Sequence, residues 1–264
     1  LLIGTGGCTG GSDQAGRTEV SVFAASSLTD AFGALEPVFE QAHPDLDLVV
    51  SFAGSQVLRL QIEQGARAHV FASANEDHVR ALEDGGLAAE AELLAYNRLV
   101  IIVPPDNPAG IESLADLPAA SSLVIASESV PLGRYTRGML ERAGAWEADA
   151  GFGGAYGEAF REGIRAAVVS EENNARLVRA KVELGEADAA IVYLTDALAS
   201  DRVRLIRLPA RFDFSTRYVI APLLDPDGTV DDSGARFVRF AQSENGRAIL
   251  RRYGFTTEVD GEGR

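Results

Sequence analysis

The sequence predicts an α/β fold, a mainly parallel sheet covered by helices and split between two lobes. Three observations predict it. Hydrophobic β runs alternate with amphipathic helical segments along the chain, the pattern of strands joined by helical crossovers. Twice within the first sixty-five residues a strand runs through serine into an amphipathic helix: VSVFAASSLTDAFGALEPVFEQAHP from Val20 and LVVSFAGSQVLRLQIEQGA from Leu48. Finally, the long apolar stretch at 92–105 and the late β run at 215–222 are suited to carry the chain between lobes and back.

In chain order, β runs rich in Val, Ile and Phe fall at 20–24, 48–52, 69–73, 98–104, 123–126, 189–193 and 218–222. Apolar residues at three and four spacing mark helices over 28–42, 56–64, 76–85, 132–143, 174–184 and 233–253, the last broken near Asn245-Gly246. The expected division is 18–99 with 216–258 in the first lobe and 100–215 in the second. Residues 1–17 stay outside the fold.

The N-terminal LLIGTGGCTGGSDQAG is an apolar stretch, small residues, a cysteine and a polar linker. It looks like the end of a bacterial lipoprotein signal peptide, with cleavage before Cys8 and lipid on its sulfur. An ordinary secretory remnant with an incidental cysteine is the alternative. Either places the mature protein outside the cytoplasmic membrane. As the only cysteine, Cys8 leaves no intrachain disulfide and no cysteine-based metal site.

A net charge of −15 argues against nucleic acid or anionic lipid as a partner. Any anion must then be held by local donors rather than steered from afar. A helix N-terminus offers such donors: N–H groups without a partner inside the helix, and about half a positive charge from the macrodipole. Ser27 and Ser55 each stand at one, so a small oxyanion is the first ligand to consider. Simpler readings stay open. Ser27 with Asp30 fits an S-x-x-D capping box, Ser55 fits an ordinary N-cap, Asn173 and Asn174 fit caps, and Tyr193 fits a core aromatic.

Catalytic signatures are sparse. His43, His69 and His78 form no H-E-x-x-H pattern, and AASSL around Ser26 and Ser27 lacks the glycines of a G-x-S-x-G elbow. Gly4–Gly7 and Gly153-Gly154 lack the lysine of a phosphate loop. A secreted serine hydrolase using Ser26 or Ser27 is the reading from a different class.

Three segments resemble the periplasmic molybdate-binding proteins of ABC importers: VFAASSLTDAF at 22–32, SFAGSQVLRLQIEQGARAHVFASAN at 51–75 and KVELGEADAAIVYLTDA at 181–197. LLAYNRLVIIVP, SVPLGRYTRGMLERAGAW and RRYGF echo the family more weakly, in matching order. The resemblance implies a periplasmic-binding-protein-like type II fold with the ligand cleft between two lobes. It implies molybdate or tungstate held by Ser27 and Ser55 from one lobe, by the Leu132 and Ala175 backbone amides and by the Tyr193 hydroxyl from the other. No metal–protein bond and no cofactor is implied; the partner is an ABC permease and the protein a monomer. Gln56, Arg67, His69 and Ala175 depart from the family's usual residues, which bears on pocket shape. Sulfate or another tetrahedral oxyanion is the alternative ligand.

Overall fold

The computed structural model describes residues 16–145, 157–212 and 215–258. Cys8 and Gly153-Gly154 lie outside them. Among the described residues, nine strands join in chain order with nine α-helices. The first half runs β1 (Thr18–Ala25), α1 (Thr29–Ala42), β2 (Leu46–Ala53), α2 (Ser55–Glu63), β3 (Val70–Ser73), α3 (Glu76–Asp84) and β4 (Glu92–Val103). Next come β5 (Leu123–Ala126), α4 (Pro131–Ala145), α5 (Glu158–Ala167), β6 (Val168–Glu172), α6 (Ala175–Glu183), β7 (Ala189–Tyr193), α7 (Leu194–Leu198) and β8 (Arg204–Arg207). β9 (Ser215–Pro222), α8 (Asp232–Ala241) and α9 (Glu244–Arg252) close the chain.

The strands are ordered β2-β1-β3-β9-β4-β7-β5-β6, with β8 paired to β4 off that path. Two parallel trios, β2-β1-β3 and β7-β5-β6, flank a pair of antiparallel strands, β9 and β4. The sheet is therefore mixed, where a mainly parallel one is expected. The cause is the crossing itself: a strand that leaves one trio for the other must meet one of them head to tail. β4 performs that exchange within a single strand. Its residues 92–98 pair with β9, while Leu99–Ile102 pair with β7 and Val100–Val103 with β8.

Burial follows the helical and strand periods. In α1 the buried residues are Ala31, Phe32, Leu35 and Phe39, one stripe of the helix. Phe32 and Phe39 meet Phe237 of α8 edge-on at 5.7 and 5.3 Å between ring centroids, a favoured aromatic geometry. β3, β5 and β7 are buried at every position, as interior strands covered on both faces should be. A second apolar cluster, including Leu58, Ile62, Phe71, Val79, Leu82 and Val219, fastens α2 and α3 to the sheet.

The C-terminal helix breaks at Gln242-Ser243, ahead of the expected Asn245-Gly246. Ser243 is the better stop and start: its hydroxyl accepts the Gly246 N–H at 3.2 Å and so caps α9. β6, β8, α5 and α7 are elements that the sequence pattern does not predict. β6 is VVSEE, with no fully buried residue, and β8 has one, so neither shows an apolar run.

Candidate functional site

β1 and β2 are parallel and in register from Thr18↔Leu46 to Ala25↔Ala53. Ser27 and Ser55 each stand two residues past the last pair. The two serine turns thus emerge side by side at the C-terminal ends of their strands. Ala74 follows β3 on the same edge. From the second trio, Val130, Pro131 and Leu132 follow β5, Asn174 and Ala175 follow β6, and Tyr193 ends β7. All of these residues line one small, nearly closed cavity, together with Ala25, Ser26, Ala53 and Gly54. The five expected site residues, Ser27, Ser55, Leu132, Ala175 and Tyr193, are brought together there. None is more than 6% exposed.

No lining side chain carries a charge; the polar ones are Ser26, Ser27, Ser55, Asn174 and Tyr193. Three helices begin at the wall: Ser55 opens α2, Ala175 opens α6, and Leu132 is the second residue of α4 after Pro131. Their first N–H groups have no acceptor inside the helix, and Pro131 has no N–H to leave unmet. Asn174 caps α6, its Oδ1 accepting the Leu177 N–H at 3.0 Å. That leaves the amide of Ala175 for another acceptor.

Neither serine caps its own helix. Ser55 Oγ accepts the Ala74 N–H at 3.1 Å. Ser27 sits in a short 3₁₀ turn, Ser26–Leu28, and its Oγ lies 2.7 Å from Tyr218 Oη on β9. Asp30 does not complete a capping box; it pairs with Arg176 from α6, whose Nε also donates to Ser26 O at 3.1 Å. With Ala74 donating to it, Ser55 keeps its own proton free to point inward.

Tyr193 is 1% exposed and its hydroxyl has no hydrogen-bond partner among the described residues. Burial drives its pKa well above the ordinary tyrosine value, and the neighbouring Tyr218, packed edge-on at 5.5 Å, adds to the shift. The hydroxyl therefore stays protonated, with the Tyr218 hydroxyl as a polar neighbour but no hydrogen bond to it of ordinary geometry. A buried polar atom left so is costly, and this residue stands on the cavity wall.

Gln56 is a site neighbour whose role no sequence pattern signalled. Its Nε2 donates to Asn173 O at 2.8 Å, across the cavity from α2 to the start of α6. Arg67 and His69 do not line the cavity; His69 Nδ1 accepts the Ser21 N–H at 2.9 Å. His43 packs on Phe39, and His78 lies on α3. No histidine thus stands beside Ser26 or Ser27.

The family model for bacterial extracellular solute-binding proteins matches residues 20–256. The molybdate-binding protein ModA of Mycobacterium tuberculosis is 34% identical over 262 residues, covering 96% of this chain and 92% of that protein. A putative ABC transporter substrate-binding lipoprotein of Bacillus subtilis, YvgL, is 27% identical over 98% of this chain and 94% of its own length. Among solved structures, the sulfate-binding protein SubI of M. tuberculosis superimposes with a TM-score of 0.77 at 17% identity, covering 93% of this chain and 88% of that one. That likeness concerns the fold, the two-lobed α/β arrangement of periplasmic binding proteins. By the family model's match over residues 20–256 and the 34% identity to ModA over nearly its whole length, the chain belongs to the bacterial extracellular solute-binding proteins.

Proposed function

We propose that this chain captures molybdate, and tungstate with it, in the cavity and delivers the anion to an ABC-transporter permease. Ser27 and Ser55 donate from the lobe formed by 18–99 and 216–258. The Leu132 and Ala175 amides and the Tyr193 hydroxyl donate from the lobe formed by 100–215. The exchange of β4 from β9 to β7 between Arg98 and Leu99 supports that boundary.

The single observation that carries the reading is the buried, unpartnered Tyr193 hydroxyl in a cavity of neutral donors. Desolvating a dianion costs several kcal/mol. Short hydrogen bonds to a charged acceptor return about 1.5–3 kcal/mol each, and the converging ends of α2, α4 and α6 add their dipoles. A wall of donors has no place for a ligand's own O–H, so phosphate, which keeps a proton at neutral pH, is disfavoured. Molybdate and tungstate are fully ionised there. Sulfate is too, and is set apart by its shorter oxygen radius, which leaves the donors over-stretched. The 34% identity to a protein named for molybdate supports the larger anion.

Nothing in this reading alters the ligand chemically; the protein is a carrier, acting as a monomer. Closure of the lobes around the anion presents a ligand-stabilised surface to the permease, a population shift driven by contacts made only when closed. Cys8 carries the lipid that holds the chain at the outer face of the membrane, in keeping with the lipoprotein name of its B. subtilis relative. Calorimetric titration with molybdate, tungstate, sulfate and phosphate tests the proposal. Micromolar or tighter binding of the first two alone supports it; indifference to all four refutes it.

A further inference from the structure

Behind Ser27 lies a buried chain of side chains that the five-donor site does not include. Tyr218 Oη, 2.7 Å from Ser27 Oγ, belongs to a residue with no exposed surface on β9. Asn97, on β4 and 2% exposed, turns its Nδ2 to Thr195 Oγ1 at 2.9 Å and to Tyr218 Oη at 3.4 Å. Its orientation is fixed, because Asn97 Oδ1 accepts the Arg98 N–H at 2.9 Å; the reverse orientation would set two donors face to face.

The order of donation follows from this fixed end. Asn97 can only donate to Tyr218, and the neighbouring Tyr193 hydroxyl makes no hydrogen bond, so the acceptor within reach of the Tyr218 proton is Ser27 Oγ at 2.7 Å. Ser27 then accepts from Tyr218, and its own proton has one direction left, into the cavity. Burial keeps the Tyr218 hydroxyl protonated, its pKa standing well above the usual value. Ser55 is polarised in the same sense by the Ala74 N–H.

We infer that Tyr218, held by Asn97, is a positioning residue that makes Ser27 a donor only and so sets the rejection of protonated oxyanions. The inference rests on the oxyanion reading proposed above. A serine without this input could rotate and accept a proton from a ligand. With it, a ligand O–H facing Ser27 meets another O–H. Asn97 and Tyr218 lie on the two crossing strands, and Thr195 lies in the first turn of α7, in the second lobe. The polarity of Ser27 is therefore set by the strands that join the lobes rather than by its own turn.

The test is calorimetric titration of the full chain, Tyr218→Phe, Ser27→Ala and the double variant with molybdate, sulfate and inorganic phosphate. Phenylalanine keeps the ring against Tyr193 and Phe255 (5.5 and 5.2 Å) and removes only the hydroxyl. Tyr218→Phe is expected to weaken molybdate binding about tenfold and to raise the phosphate-to-sulfate affinity ratio about tenfold. In the Ser27→Ala background the same change should alter neither quantity, a coupling that a packing role would not produce. Unchanged molybdate affinity in Tyr218→Phe, or equal losses with and without the Ser27 hydroxyl, would overturn the inference while leaving the oxyanion reading intact. A parent chain that binds none of the three anions would overturn both.

Discussion

In the proposed site, Tyr193 joins a ligand-binding hydroxyl to a packing ring in one side chain. Its ring fills the end of β7, while its hydroxyl bonds to nothing among the described residues. Tyr193→Phe should therefore leave the thermal stability of the ligand-free protein unchanged or slightly higher. It should weaken molybdate binding about ten- to a hundredfold, the loss of one hydrogen bond to a charged acceptor; parallel thermal melts and titrations check both halves. Asp196, 2% exposed beside Arg179, makes a different prediction. Desolvation pushes its pKa from 3.8 up to about 7, against the pull of Arg179 and Arg176. The folded state then holds the proton more tightly than the unfolded chain, so this group's contribution to stability falls as pH rises from about 4 to about 7 and is level above that. The melting temperature of Asp196→Asn relative to the parent should climb through that window and then stay constant. A difference independent of pH would contradict the assignment. At this scale the turns that carry Ser27 and Ser55 are readable from the strand–serine–helix pattern, whereas Tyr193 reads equally as a core aromatic and is reached through resemblance. Leu132 and Ala175 could be reached only through resemblance, because the group offered is a backbone N–H that any residue possesses. Tyr218 looked like one more strand aromatic, since its partner Ser27 stands 191 positions away.

In the proposed site the two lobes would offer their donors by the same device, a parallel strand ending at a helix N-terminus. The repeated β–Ser–α pattern exposed it in β1-α1 and β2-α2. In the second lobe β6 was hidden by the polarity of VVSEE, although its helix α6 was readable from the period of its apolar residues. The approach of α2 to α6 is tight. A Cβ added at Gly54 would lie 2.5 Å from Asn173 O, a backbone atom that cannot rotate aside. Gly54→Ala should thus oppose the closed arrangement and have little to clash with once the lobes part. Overpacking of this kind costs about 1–3 kcal/mol. The expected result is at least about a fivefold loss of anion affinity with the ligand-free melting temperature nearly unchanged. A matching fall in ligand-free stability would show that the contact belongs to the fold rather than to closure.

At the scale of the molecule, the polar contacts between the expected lobes include several outside the cavity. Arg134 on α4 pairs with Asp77 on α3, Arg176 with Asp30, and Gln56 reaches Asn173. The Arg134 and Asp77 side chains are about half exposed, so the pair contributes little and is screened by salt. Arg134→Ala should weaken binding by about two- to fivefold at low ionic strength, and the difference should vanish at about 1 M salt. A larger or salt-independent loss would move the weight of closure from the cavity to its rim. Net charge, −15, gives an anion no help in approaching; affinity must come from the enclosed donors. The most direct measurement is a crystal structure of the protein with molybdate, with molybdenum located by its anomalous scattering. The account predicts one strong peak in the cavity, its oxygens within hydrogen-bond distance of Ser27, Ser55, Tyr193 and the amides of Leu132 and Ala175. A peak elsewhere, or a cavity that stays empty at saturating molybdate, would contradict it.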